Sequence, residues 1–432
     1  MTLVCILVFF ILSMWQIKIV TTGTHYVKSP YCEQDTMMCN SGEMLMIVLF
    51  ATAYIGLSPV LALRLAFLEI LVLYALMRSE NRAIFSPPII IFFVFLVWLV
   101  IGLFYTPNKM FGVRMILKYM YPLLIALFAS SAVRDGEVFM KSGMMARKVA
   151  TVGVVTLFLP GVSMITGSIF WYVAAFITGL IPVIMFSFAL ADFNYERKKN
   201  LRWGLFLCVF CILAAFRTDI FGTCVAIATY SLIKYRLKAV PYVALMGLAG
   251  LLIMFYVPSI KSKMFIDPDK ANIVDYMTFN IDENNVQTNM RKFMWEDATK
   301  RFYKGHELVG SGTGRVQTFF YTEATDARQG GQLHNDFLVL RCDNGQIGLW
   351  LFIFSYVAIL LHCIQLYHRS PHDIVRMAAL VSGSSLIGVF VTMFSDNTLS
   401  YSMVTLSFPW GFYGMTLGLN KRYKDEYNSQ LS

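Results

Sequence analysis

The chain has 432 residues, of which 57% are hydrophobic and 14% charged, against roughly 25% charged in an average soluble domain. Mean hydropathy is +0.61. These values exclude a soluble globular enzyme, a disordered chain and a disulfide-stapled secreted module. The net charge of +10 sits mostly in short tethers between apolar runs, with no basic face to track a phosphate backbone, so nucleic acid is not a partner.

Apolar runs follow one another along the chain, near 3–20, 44–77, 87–105, 113–131, 149–166, 168–190, 203–216, 219–233, 239–257, 346–366, 376–394 and 399–419. They predict an all-α polytopic membrane protein with about 12 transmembrane helices. The 44–77 stretch is long for one span and carries Arg64 and Glu69. It reads as one span plus a re-entrant or short second helix. Lysine and arginine cluster in alternate short loops, around 78–82, 134–148, 197–202, 234–238, 369–376 and 421–424. The positive-inside rule puts these loops in the cytoplasm, and both termini with them if 44–77 crosses once.

Three regions result: N-terminal transmembrane helices over 1–257, a large extracytoplasmic loop over 258–345, and C-terminal transmembrane helices with a cytoplasmic tail over 346–432. The loop has 12 acidic and 11 basic residues. Such charge balance, with aromatics, predicts a folded, partly helical segment. In the smaller outer loop 21–42, Cys32 and Cys39 are either a disulfide pair or free thiols. Cys208 and Cys211 form a CxxC, but inside an apolar run, where they read as small buried hydrophobes.

Polar residues on the outer side carry the candidate chemistry. Arg114 and Lys118 share a helix face at an outer span end. Phe216-Arg217-Thr218-Asp219 joins two apolar runs. Arg217 there is either an interfacial arginine paired with Asp219 or an anion-binding group. Met290, Phe293, Met294 and Ala298 mark an amphipathic helix on which Arg291 and Trp295 are i,i+4 neighbours. Gly310 and Gly312 follow, then Arg315. His334 opens a leucine-rich helix that Asn344-Gly345 breaks or caps before the next span. Asp336 is close in sequence to His334, but i,i+2 residues do not face each other on a helix. Asp267-Pro268-Asp269 has the form of a metal-binding DxD and reads as a proline-containing surface turn.

The string LHNDFLVLRCDNGQIGL, with His334 and Gly345 bounding a ten-residue interval, resembles the signature of the bacterial O-antigen ligase/polymerase family. Asp343 stands where that family more often has Glu. MRKFMWEDATKRFYKGHELVGSGTG is similar to the family's arginine, aromatic four positions on, and glycine pair, here Arg291, Trp295, Gly310 and Gly312. FRTDIFGTCVA resembles its outer-turn arginine, with Phe216 where Ser or Thr is usual.

The resemblance implies a GT-C-like membrane glycosyltransferase without cofactor or required metal. Its donor would be an undecaprenyl-diphosphate-linked glycan, and its acceptor another glycan or the lipid A core. Membrane lipid, and a chain-length regulator, are further expected partners. It implies catalytic roles for His334, Arg291 and Arg217, with Arg114, Lys118, Arg315 and Trp295 as substrate-binding candidates. The expected site is the outer face of the bacterial inner membrane. O-antigen polymerase is the leading reading, ligase the near alternative, and a flippase the distant one. A flippase should show charges deep in several spans and internal repeats, and beyond Arg64 and Glu69 neither is evident.

Overall fold

The computed structural model describes the chain except residues 32–33, 160, 163–166, 215, 279, 281, 283–284, 288–290, 324–331 and 432. Cys32 and Met290 thus lie outside the described residues. The protein is mostly helical. Seven of the described helical stretches are long and apolar enough to cross a membrane: Thr2–Thr21, Ser58–Arg78, Lys109–Ala132, Val173–Asp192, Arg217–Tyr256, Asp336–Arg369 and Asp373–Thr392. Arg217–Tyr256 contains two helices, Arg217–Tyr235 and Val240–Tyr256. In the second only Phe255 is buried, so an apolar helix faces outward, as it would toward lipid.

The 44–77 run divides. Ser41–Thr52 is a 12-residue helix and Leu61–Arg78 a separate one, broken around Ser58-Pro59. Twelve residues rise only about 18 Å, short of the ~30 Å hydrocarbon layer. Arg64 Nη2 donates to the carbonyl of Thr52 at 2.6 Å, so the buried arginine serves the broken helix end. The loop 21–42 is an antiparallel hairpin, Thr24–Lys28 against Thr36–Asn40, in which Cys39 pairs with His25 and is buried. Asn40 then caps the next helix reciprocally with Glu43.

Two packing features set the functional end. The first is the crossing of Arg217–Tyr235 with Asp373–Thr392. A Cβ on Gly222 would lie 2.8 Å from the carbonyl oxygen of Gly388, and one on Gly388 2.6 Å from the Cβ of Ala226. Small residues four apart let the two backbones touch, as in small-xxx-small membrane contacts. The second is a kink at Gly345 (φ 65°, ψ −169°) within the 34-residue helix Asp336–Arg369. A side chain there would strike the backbone of Leu308, 2.2 Å away, so only glycine fits.

The loop ahead of this helix has its own small core, from Ala298, Phe302, Tyr303, Val316, Phe319, Leu333, Val339 and Cys342. Asp343 ties that core to the kink. Its carboxylate accepts the N–H groups of Gly314 and Val316, each at 2.9 Å. Asp343 therefore acts as a cap for the glycine turn. Asp267 accepts from the Asp269 N–H and lies 3.1 Å from Lys270 Nζ, so Asp267-Pro268-Asp269 is a surface turn.

Candidate active site

Arg217 is the first residue of the helix Arg217–Tyr235, with Phe216 at the N-cap. Five residues on, Gly222 makes the close crossing, and seven residues after Gly388 comes Ser395. The crossing thus brings the two helix ends together. Thr218 Oγ1 and Ser395 Oγ lie 2.8 Å apart. Asp219 turns inward, where its Oδ1 accepts from Thr178 Oγ1 at 2.6 Å.

Arg291 begins the helix Arg291–Ala298, and its Nη1 donates to the carbonyl of Ser395 at 2.6 Å. One turn later, Trp295 Nε1 donates to the carbonyl of Leu333 at 2.7 Å. These two bonds dock the helix against the turn after Asp373–Thr392 and the segment that presents His334. Burial pulls the Arg291 guanidinium below its usual pKa. Asp396 opposes this, and nearby Arg217 adds to it. Two like charges held close and partly desolvated favour a bound anion.

His334 adopts φ 50°, the left-handed region that non-glycine residues rarely occupy. Its N–H donates to Asn397 Oδ1 at 3.1 Å, which holds the turn. Asn335 then caps the following helix by accepting from the Leu338 N–H. His334 Nδ1 lies 3.3 Å from Asp396 Oδ1 and 3.1 Å from Asn397 Nδ2. The first contact needs a proton on Nδ1 and the second needs it elsewhere, so the two belong to different tautomers. With the proton on Nδ1 facing Asp396, the Nε2 lone pair is available as a base. The imidazole is 42% exposed and the Asp396 side chain 15%.

Arg217, Arg291, Trp295, His334 and Asp396 all line one cavity of about 1040 Å3, together with Tyr172, Phe216 and Ser395 among others. Four of the seven residues singled out in the sequence therefore meet. The other three lie outside its lining. Arg114 sits over the ring of Phe111 at 5.3 Å. Lys118 is within electrostatic reach of Asp336. Arg315 forms an ion pair with Glu323 at 2.5 Å and sits 5.2 Å over Phe302.

Asp336 is buried, accepts from the Leu399 N–H at 2.8 Å and donates its own N–H to the Met393 carbonyl. It therefore pins the His334 helix to the turn, while Asp396 faces the imidazole. Sequence reasoning missed Asp396 and Asn397. Their signal is the polar Ser395-Asp396-Asn397 break between two apolar runs, on the same predicted side as His334. Among the described residues no three His, Cys, Asp or Glu side chains gather to hold a metal ion. Among the described residues, the permanent cations that line the cavity are Arg217 and Arg291.

The family model described as O-antigen ligase matches residues 203–353, about a third of the chain. The matched stretch contains Arg217, Arg291, Trp295, His334 and Gly345, and leaves out Arg114, Lys118 and Asp396. No curated protein matches the chain. Over residues 203–353 this membrane protein is thus similar to the O-antigen ligase family.

Proposed function

We propose that the protein is a membrane glycosyltransferase that polymerises undecaprenyl-diphosphate-linked repeat units of O-antigen or a related surface polysaccharide. The reaction is placed at the outer face of the bacterial inner membrane. The observation that carries the reading is the one cavity in which two guanidinium groups and a carboxylate-backed imidazole meet.

The chemistry follows from those groups. His334 Nε2 takes the proton of the acceptor hydroxyl, while Asp396 holds the opposite ring nitrogen and stabilises the imidazolium that forms. The acceptor oxygen bonds to the anomeric carbon as the bond from that carbon to the phosphate oxygen breaks. The electron pair leaves with the diphosphate, and direct displacement inverts the anomeric centre. Arg217 and Arg291 stabilise the added negative charge, each charge-assisted contact contributing roughly 1.5–3 kcal/mol. Arg217 also stands at a helix N-terminus, whose dipole favours an anion.

Ligation to the lipid A core is the alternative, supported by the description of the matching family. The two are separated by the lengths of surface glycans in the host. A gene deletion complemented by wild type should restore the native ladder. A deletion that leaves the core carrying one repeat marks a polymerase. A bare core with long lipid-linked chains marks a ligase. His334→Ala should reproduce the deletion while remaining in the membrane, because a general base contributes about 10²–10⁴-fold. A normal ladder from His334→Ala would remove the transfer reading and favour a transporter.

A further inference from the structure

We propose that a second cavity, lined by Lys292, Lys300 and Lys304, is the acceptor subsite and takes a glycan acceptor that carries phosphate. This rests on the transfer reading above. The helix Arg291–Ala298 borders both cavities. Arg291 lines the large one. Lys292 and Glu296, i,i+4 neighbours on an adjacent stripe, line a second cavity of about 410 Å3, and Trp295 lines both. That cavity continues past Thr299, Lys300 and Lys304 and reaches Asn335, the residue after His334.

Trp295 and Phe394 line both cavities, with their rings 6.0 Å apart and 69° inclined. They form an aromatic wall at the junction. A glycosyl transfer needs the donor's anomeric carbon and the acceptor's hydroxyl at one base together. Two cavities that share Trp295 and Phe394, one lined by His334 and the other by Asn335, let the partners approach one base along separate paths. The aromatic wall offers apolar surface to a sugar ring, with a polar handle on Trp295.

The charges distinguish the two sides. The large cavity has planar guanidiniums, suited to two oxygens of a diphosphate leaving group. Among the described residues, the second is lined by the ammonium groups of Lys292, Lys300 and Lys304 and by the carboxylate of Glu296. Ammonium groups are mobile point donors and bind phosphate without demanding one geometry. The phosphate belongs either to a second lipid-linked glycan or to a phosphorylated sugar of the acceptor.

The test is calorimetric titration of the full chain in detergent with inorganic pyrophosphate and with farnesyl diphosphate. Two classes of site are expected. Lys300→Gln combined with Lys304→Gln, both exposed positions, should abolish one class and leave the other. Arg217→Gln combined with Arg291→Gln should do the reverse. At the lysine class, equal binding of both probes supports a phosphorylated sugar, and tenfold preference for farnesyl diphosphate supports a lipid-linked acceptor. One class of site, lost only with the arginines, would overturn the acceptor subsite and leave the transfer reading standing. A lysine class without an arginine class would count against the donor reading instead.

Discussion

Arg217 and His334 face the same cavity, yet two differently built regions hold them there. Arg217 stands at the end of a helix located by backbone contact, where Gly222 and Gly388 let two helices touch. His334 stands on a strained turn located by hydrogen bonds. Its N–H reaches Asn397, Asp336 reaches the Leu399 N–H, and Trp295 reaches the Leu333 carbonyl. Placement by packing is sensitive to volume and indifferent to polarity. Placement by hydrogen bonds is the reverse. Under the proposed function the two placements suit different roles. A phosphate-binding arginine tolerates small shifts because its long side chain adjusts. A base must sit within hydrogen-bond reach of one proton.

After His334→Ala, the arginines give the largest expected effect. Arg217→Gln and Arg291→Gln should each lower kcat/KM by roughly 10- to 100-fold, the equivalent of one charge-assisted contact. Arg→Lys should recover only part of this, because an ammonium cannot span two phosphate oxygens. If Arg217→Gln acts on a diphosphate, its effect should vanish when binding of a neutral glycan is measured alone. Equal loss toward a neutral glycan would mean that Arg217 supports the fold and not the leaving group.

How much of this was legible beforehand follows the same division. Apolar runs announce spans, because lipid imposes length and composition on each helix separately. Arg217, Arg291, Trp295 and His334 were legible because their spacing matches a family pattern, and they do meet. Asp396 and Asn397 were not, since they lie more than 60 residues beyond His334 and approach it only through tertiary packing. Asp336 was legible as a neighbour in sequence, and the structure gives it to the backbone of Leu399 instead. The pairing of Arg114 with Lys118 satisfied helical spacing. Helical spacing fixes which residues share a face and says nothing of where that face points. The break between Ser41–Thr52 and Leu61–Arg78 was hidden inside one apolar run, because hydropathy does not register the backbone turn around Ser58-Pro59.

A change of volume tests the packing side. Gly222→Val should destabilise by about 1–3 kcal/mol, as overpacking does, because the new side chain meets the Gly388 carbonyl and the Thr392 methyl. The thermal unfolding temperature in detergent should fall, and activity should fall with it as Thr218, and Arg217 before it, moves away from Ser395. Gly222→Ala should show the same sign with a smaller loss. Unchanged unfolding and activity for Gly222→Val would show that this crossing does not set the arginine.

The hydrogen-bonded side calls for the opposite result, and the smallest effect. Asn397→Ala removes the acceptor for the His334 N–H and leaves the helix crossing untouched. One neutral hydrogen bond is worth about 0.5–1.5 kcal/mol, so activity should fall roughly 2- to 12-fold. The loss should appear in kcat, since the turn positions the base and binds no substrate in this reading. Asn397→Asp keeps an acceptor at that place and should restore most of the rate, whereas it cannot restore the contact between Asn397 Nδ2 and the ring. Recovery by Asp would therefore assign the role to the strained backbone of His334. A failure of Asp to recover it, with Ala and Asp equally slow and both folded, would assign the role to the contacts of Asn397 Nδ2, with Gln332 Oε1 at 2.6 Å and with the His334 ring. In the tautomer that accepts from Asn397, Nε2 carries the proton, and His334 would serve as a donor to the diphosphate.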